Sequence, residues 1–185
     1  TKEEQLKGLP ESQIEQAAQT AKEQQTDGWI ITLKAPSYIP FMTYADDREL
    51  RKQLYMAYNT QCTHDNAHNN FEIVKRIVNL RREVAQLLGY ASYADFALKN
   101  RMAEKPEHVY QLLNDLIKHY KVPAEKEMKA ISALSDEELR PWDFAYYSQK
   151  LKKKEFDLDA EMLRPYFELS QVKKGIFGLA ERLYG

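Results

Sequence analysis

Residues 71–99 read FEIVKRIVNLRREVAQLLGYASYADFALK, and this stretch decides the fold class. From Ile73 the apolar residues recur at Ile77, Leu80, Val84 and Leu87, with Val74, Val78 and Leu88 widening the stripe. That spacing predicts one buried face of an α-helix. Lys75, Arg76, Arg82, Glu83 and Gln86 fall mostly on the other side and face water. Gly89 stands where a helix needs a left-handed closing residue, and Tyr90 follows as the hydrophobic partner of that stop. Ser92 and Asp95 then give S-x-x-D, a capping-box variant heading a second helix. Two helices joined by one tight corner are expected here.

Composition extends that reading to the whole chain. Its 185 residues are enough for one helical segment, taken as a single unit over 1–185, that buries about 70% of its unfolded surface. A hydrophobic content of 43% and a charged content of 30% describe a globular protein and exclude a disordered one. Six glycines and seven prolines are too few for the many tight turns of a β-sandwich. The 27 basic and 28 acidic residues leave a net charge of −1, so no overall field draws the chain to nucleic acid or to an anionic membrane. The single cysteine, Cys62, excludes an internal disulfide framework and a Cys-based zinc knuckle. No apolar run approaches the roughly 18 residues of a membrane span.

Outward from the opening stretch, Pro10 with Glu11 and Ser12 predicts a helix start, running to about Gln25 and stopped by Asp27-Gly28. Trp29-Ile30-Ile31-Thr32-Leu33 is the one segment that reads as a strand, with no partner of equal quality elsewhere. Residues 37–45, broken by Pro40, suit one or two helical turns. Asp46 and Glu49 form a D-x-x-E cap for a helix through Leu50 and Leu54. Residues 61–70 (QCTHDNAHNN) read as a loop. Pro106 starts a further helix that Pro123 kinks or restarts, Ser135 and Glu138 form another capping box, and a helix begins at Trp142 and reaches Lys154. Asp157 or Asp159 caps a short turn to Leu163, and Ser170–Tyr184 is a last helix carrying Gly175 and Gly178. The fold class is all-α, with at most one short strand near 29–33.

Four groups of residues invite chemistry. His64 and His68 stand at i and i+4, the spacing that lets two histidines meet one metal on a helix. The second residue of the zinc-peptidase motif HExxH must be a glutamate, the base that activates metal-bound water, and here it is Asp65. The surrounding asparagines disfavour helix, so a solvated loop is the better reading. Lys150, Lys152, Lys153 and Lys154 could contact phosphates, yet a helix C-terminus favours cations in any case. Trp142, Phe144, Tyr146 and Tyr147 cannot all share one helix face, and core packing accounts for part of them. Arg81, at the edge of the stripe, calls for a carboxylate partner if buried. Neither Cys62 nor Ser148 has a visible histidine–acid arrangement, and no glycine-rich phosphate loop occurs. No catalytic, cofactor-binding or metal-binding residue is assigned within the chain.

The run Leu80-Arg81-Arg82-Glu83-Val84-Ala85-Gln86-Leu87-Leu88-Gly89-Tyr90, with Tyr93-Ala94 and Met102-Ala103-Glu104-Lys105-Pro106, resembles the thimet oligopeptidase family of zinc metallopeptidases. Gly8-Leu9-Pro10-Glu11-Ser12 and Gly28 to Leu33 precede it in the family's order. Pro141-Trp142-Asp143-Phe144-Ala145-Tyr146-Tyr147 and Leu163-Arg164-Pro165-Tyr166-Phe167 follow. Phe156-Asp157-Leu158-Asp159 and Tyr166-Phe167-Glu168-Leu169 lean toward its bacterial peptidyl-dipeptidase (dipeptidyl carboxypeptidase) branch. The resemblance implies a helical, two-lobed peptidase of short peptides whose zinc is held by HExxH and a distal glutamate. None of those residues is in this sequence, and His64 and His68 do not correspond to them. What it implies is an internal segment that forms scaffold and channel-wall helices of a larger enzyme, inactive alone. Its partners would be short peptides and the missing catalytic half of its own chain, with self-association of the isolated segment through an unusually apolar surface. The compartment, cytoplasmic or periplasmic, stays open. A stand-alone helical interaction module and a small metalloprotein using His64 and His68 are the rival expectations.

Overall fold

The computed structural model describes residues 3–157 and 160–185. Among these residues the regular structure is helical and no strand occurs. A 3-10 turn at Glu3–Leu6 precedes α1 (Glu11–Glu23), α2 (Ala35–Tyr44), α3 (Arg48–Asn59), α4 (Phe71–Leu87), α5 (Tyr93–Leu98) and α6 (Pro106–Ser132). Then follow α7 (Phe144–Phe156), the single turn α8 (Ala160–Leu163), a 3-10 turn at Arg164–Tyr166, and α9 (Leu169–Tyr184). None of the helices is long and apolar enough to cross a membrane among the described residues. The chain divides into two compact units, Thr1–Tyr55 with Ile131–Gly185, and Met56–Ala130.

The first unit has a core. α2 packs on α1 and on α7. Ala17 and Ala21 of α1, Phe41 and Met42 of α2, Ala45, Leu6, Ile131 and Tyr146 are buried in it. α1 closes two residues before Asp27-Gly28: Thr26 N–H donates to Ala21 O at 3.0 Å and Gln25 N–H to Lys22 O at 3.0 Å. This is a Schellman stop in which Gln25, at φ 54°, takes the left-handed place that glycine usually fills.

The strand expected at 29–33 does not form. Among the described residues no neighbouring edge is available, and the segment instead lies on α1, with Ile30 N–H bonded to Ala17 O at 3.1 Å and Thr32 N–H to Ser37 Oγ at 2.9 Å. These two backbone N–H groups find partners without a sheet. α2 runs ten residues through Pro40, longer than the one or two turns expected. The cap of α3 is Asp47, whose Oδ1 accepts from Leu50 N–H at 3.0 Å, and not Asp46, which has another task described below. Ser135 and Glu138 open no helix; Ser135 Oγ closes a local turn with Glu137 N–H at 3.2 Å. α7 begins at Phe144, after Trp142. Asp157, at φ 47°, ends α7, whereas Asp159 lies outside the described residues.

The second unit keeps every local signal of the opening stretch. Tyr90 N–H donates to Ala85 O at 2.9 Å and Gly89 N–H to Gln86 O at 3.0 Å, with Gly89 at φ 78°, a complete Schellman closure of α4. Ser92 Oγ accepts from Asp95 N–H at 3.2 Å and donates to Asp95 Oδ2 at 2.6 Å, capping α5. α5 packs back on α4. α6 passes through Pro123 as one continuous 27-residue helix, neither broken nor restarted there. Yet Ala85 is the only buried residue among those described in this unit. The stripe predicted to be buried on α4 is exposed, with Ile77 at 42% and Leu80 at 47%. The helical periodicity is as expected, but among the described residues nothing buries this face.

Candidate functional site: a buried arginine–aspartate cluster

The most concentrated polar chemistry sits in the first unit, where the N-terminal turns of α3 meet the start of α7. Arg48 and Arg51, one turn apart on α3, both reach Asp143, the residue just before α7. Arg51 is 1% exposed and Asp143 0%. Arg51 Nη2 donates to Asp143 Oδ1 at 2.9 Å, its Nε to Trp142 O at 3.2 Å, and its Nη1 to Ala45 O at 2.7 Å and Asp46 O at 3.1 Å. Arg48 Nη2 donates to Asp143 Oδ2 at 2.8 Å and to Glu138 O at 3.0 Å, and its Nη1 pairs with Glu137. Arg140 N–H adds a further bond to Asp143 Oδ2 at 3.1 Å.

Burial alone would raise the Asp143 carboxyl, but the hydrogen bonds from Arg48, Arg51 and Arg140 N–H together hold it below the usual carboxylate range. A buried charge survives only when paired and fully hydrogen-bonded, and this cluster meets that condition.

Tyr146 extends the cluster. Its hydroxyl donates to Asp46 Oδ1 at 2.7 Å, and its ring receives the Arg51 guanidinium 4.0 Å and the Lys150 ammonium 4.3 Å from its centroid. Burial, with the bond to Asp46, pushes its phenol up, offset in part by Lys150, so it stays protonated and acts as a donor. A cleft of about 180 Å³ opens beside it, lined by Gly8, Tyr44, Asp46, Tyr146, Gln149 and Lys150 among others. Gly8 is at φ 90°, and a Cβ there would lie 2.3 Å from Tyr44 O, so only glycine fits this crossing. The cluster joins the Gly8 turn, α3 and α7. It holds no nucleophile paired with a base and acts as a structural lock.

The residues singled out in the sequence are scattered. His64 and His68 lie in the loop between α3 and α4, off any helix, with His64 Nε2 3.3 Å from Thr60 Oγ and His68 N–H bonded to Asn66 Oδ1. Among the described residues no three His, Cys, Asp or Glu side chains converge on a point where a metal could sit.

Lys150, Lys152, Lys153 and Lys154 ride on the C-terminal half of α7. The aromatic set divides: Tyr146 is buried, Phe144 is exposed, Tyr147 meets Tyr146 edge-on at 5.1 Å, and Trp142 meets Tyr55 edge-on at 6.0 Å. Arg81 is exposed and takes no carboxylate among the described residues; its guanidinium lies 5.3 Å from the Tyr93 ring centroid. The buried arginine is Arg51, which sequence reasoning passed over. The signal was available in Arg48-x-x-Arg51 beside Leu50 and Leu54, together with an aspartate inside Pro141–Tyr147. Cys62 is exposed, and Ser148 Oγ is buried with no hydrogen-bond partner among the described residues.

Comparison with known proteins gives the cluster its context. The profile of peptidase family M3 matches residues 41–185, which include α3, Asp143 and Tyr146. Oligopeptidase A of Salmonella typhimurium is 39% identical over 194 aligned positions, and that of Escherichia coli 38%. Both alignments take in 100% of this chain and 28% of the relative. Dipeptidyl carboxypeptidase of Escherichia coli is 32% identical, over 98% of this chain and 28% of its own length. The chain thus spans little more than a quarter of the length of these relatives. With a match over most of its residues, it belongs to peptidase family M3.

Proposed function

We propose that the chain is a non-catalytic segment of a zinc metallopeptidase that hydrolyses short peptides, in the narrower reading by releasing C-terminal dipeptides. The family match over residues 41–185 carries this. Relatives of both kinds support it, oligopeptidases A and dipeptidyl carboxypeptidases, the former at higher identity in the alignments above. The HExxH motif is missing from the sequence, so zinc and the general base would come from elsewhere in the parent polypeptide. The role of these residues is then mechanical: the Arg48–Arg51–Asp143 lock and the long helices form scaffold and wall. The 185-residue chain alone has no peptidase activity in this reading.

The test is to express the full-length gene product and incubate it with a panel of short peptides, with and without a zinc chelator. Chelator-sensitive cleavage read by mass spectrometry is expected, and dipeptides from the C-terminus would establish the narrower reading. Hydrolysis by the purified 185-residue chain would refute the assignment of the chemistry to other residues.

A further inference from the structure

We infer that the apolar stripes of α4 and α6 are a docking surface for helices of the parent polypeptide that lie outside residues 1–185. This rests on the reading of the chain as a segment of a longer peptidase, and adds to it where the rest of that peptidase binds. On α4 the stripe runs through Ile77, Leu80 and Val84, exposed by 42–47%. On α6 it runs through Leu113, Leu116 and Ile117, exposed by 44–60%.

Both sets repeat at helical spacing, and a helix in water owes most of its stability to packing such a face. Here the faces have formed, α4 has its Schellman stop, and only Ala85 in the unit is buried. A row of half-exposed aliphatic side chains along each helix marks an interaction surface.

The character of the occupant follows from charge and length. α6 carries four acidic and four basic residues (Glu107, Asp115, Glu125, Glu127; Lys118, Lys121, Lys126, Lys129), and α4 two acidic and four basic (Glu72, Glu83; Lys75, Arg76, Arg81, Arg82), a mixed pattern with a small positive excess on α4 alone, which offers only weak attraction to an anionic bilayer or a phosphate polymer. A mixed-charge rim around aliphatic knobs fits another protein helix. The first relatives extend well beyond the aligned region, which is 28% of their length, so covering chain is available in cis. A tethered segment acts at an effective concentration of the order of millimolar, far above that of a second copy in dilute solution.

Hydroxyl-radical footprinting of the unsubstituted full-length parent tests this without perturbing the fold. In the folded parent, oxidation of Ile77, Leu80, Leu113 and Leu116 should be at least about tenfold slower than in the same protein unfolded in denaturant, at every protein concentration. Oxidation within about twofold of the unfolded rate would overturn the docking. Protection that vanishes on dilution would also overturn it, because the cover would then be a second copy. Peptidase activity is assayed on the same preparation: a protected but inactive parent sinks the functional reading and leaves the docking, and an active, unprotected one does the reverse.

Discussion

The two units of this chain carry equally good helices and very different interiors. Residues 1–55 with 131–185 bury Phe41, Met42 and Ala45 around a charge cluster in which Arg51 and Asp143 are sealed from water. Residues 56–130 have a complete Schellman stop, a serine cap and all but the last two residues of the 27-residue α6, yet Ala85 is the only buried residue described there. Local signals and burial are therefore separable. Caps and periodicity set where helices begin and end, whereas a core needs a second layer that the helix does not encode by itself. A substitution should cost stability in the first unit because partners surround it, and little in the second because they do not.

The largest effect is expected at the lock. Asp143→Asn keeps the shape and leaves Arg51 buried with an uncompensated charge. Loss of about 3–5 kcal/mol in denaturant unfolding of the 185-residue chain is expected, the cost of breaking a buried pair. The same carboxylate sets an acid limit. Its folded pKa is lowered, so its contribution is present above the unfolded value of about 3.9 and is lost as pH falls below it. Thermal melts between pH 6 and pH 2 should show stability falling on the acid side. That slope should be shallower in Asp143→Asn; an unchanged slope would place the acid sensitivity elsewhere.

Gly8→Ala comes next. It forces a side chain onto φ 90° and puts a methyl 2.3 Å from Tyr44 O, so roughly 2–3 kcal/mol should be lost. Calorimetry on the variant checks this, and a neutral result would mean that the Gly8 turn moves freely away from α2. In the second unit the largest single cost should be smaller. Ser92→Ala removes the oxygen that accepts from Asp95 N–H, a cap worth about 1 kcal/mol. Hydrogen exchange at Asp95 and Phe96 should accelerate while that in α1 stays unchanged.

How much of this was legible in the sequence follows the same division. Where a few adjacent residues determine the outcome, reading succeeded: the all-α class, the Gly89 stop, the Ser92 cap and the start of α6 at Pro106. Where distant residues determine it, reading failed. Trp29–Leu33 has strand composition, but among the described residues no second edge meets it, and Ile30 N–H goes to α1 and Thr32 N–H to Ser37 of α2. Asp46 has the spacing of a cap, but Tyr146, 100 residues away, claims its carboxylate and Asp47 caps instead. Arg81 looked like the arginine needing a partner because it borders a strong stripe; Arg51 has the partner because Asp143 comes back to it from 92 positions later. Composition and periodicity contain no term for such encounters. The resemblance to the M3 family, in contrast, rested on residue order alone and was confirmed over residues 41–185.

The smallest expected effect separates the two units most sharply. In the 185-residue chain Ile77→Glu replaces one exposed side chain by another, so it should shift stability by no more than about 0.5 kcal/mol, as ordinary surface changes do. The same substitution in the full-length parent sets a carboxylate against whatever covers the stripe. There it must either remain ionised in an apolar contact or be protonated, and burial without a partner costs several times more. The measurement is a pair of unfolding curves, one for each length of protein. A near-zero shift in the short chain beside a large one in the parent would show that α4 is a core helix whose core is assembled later. Equal and small shifts would make it a solvent-facing helix with an apolar surface. Equal and large shifts would mean that α4 is already covered in the short chain, contrary to the exposure of Ile77, Leu80 and Val84.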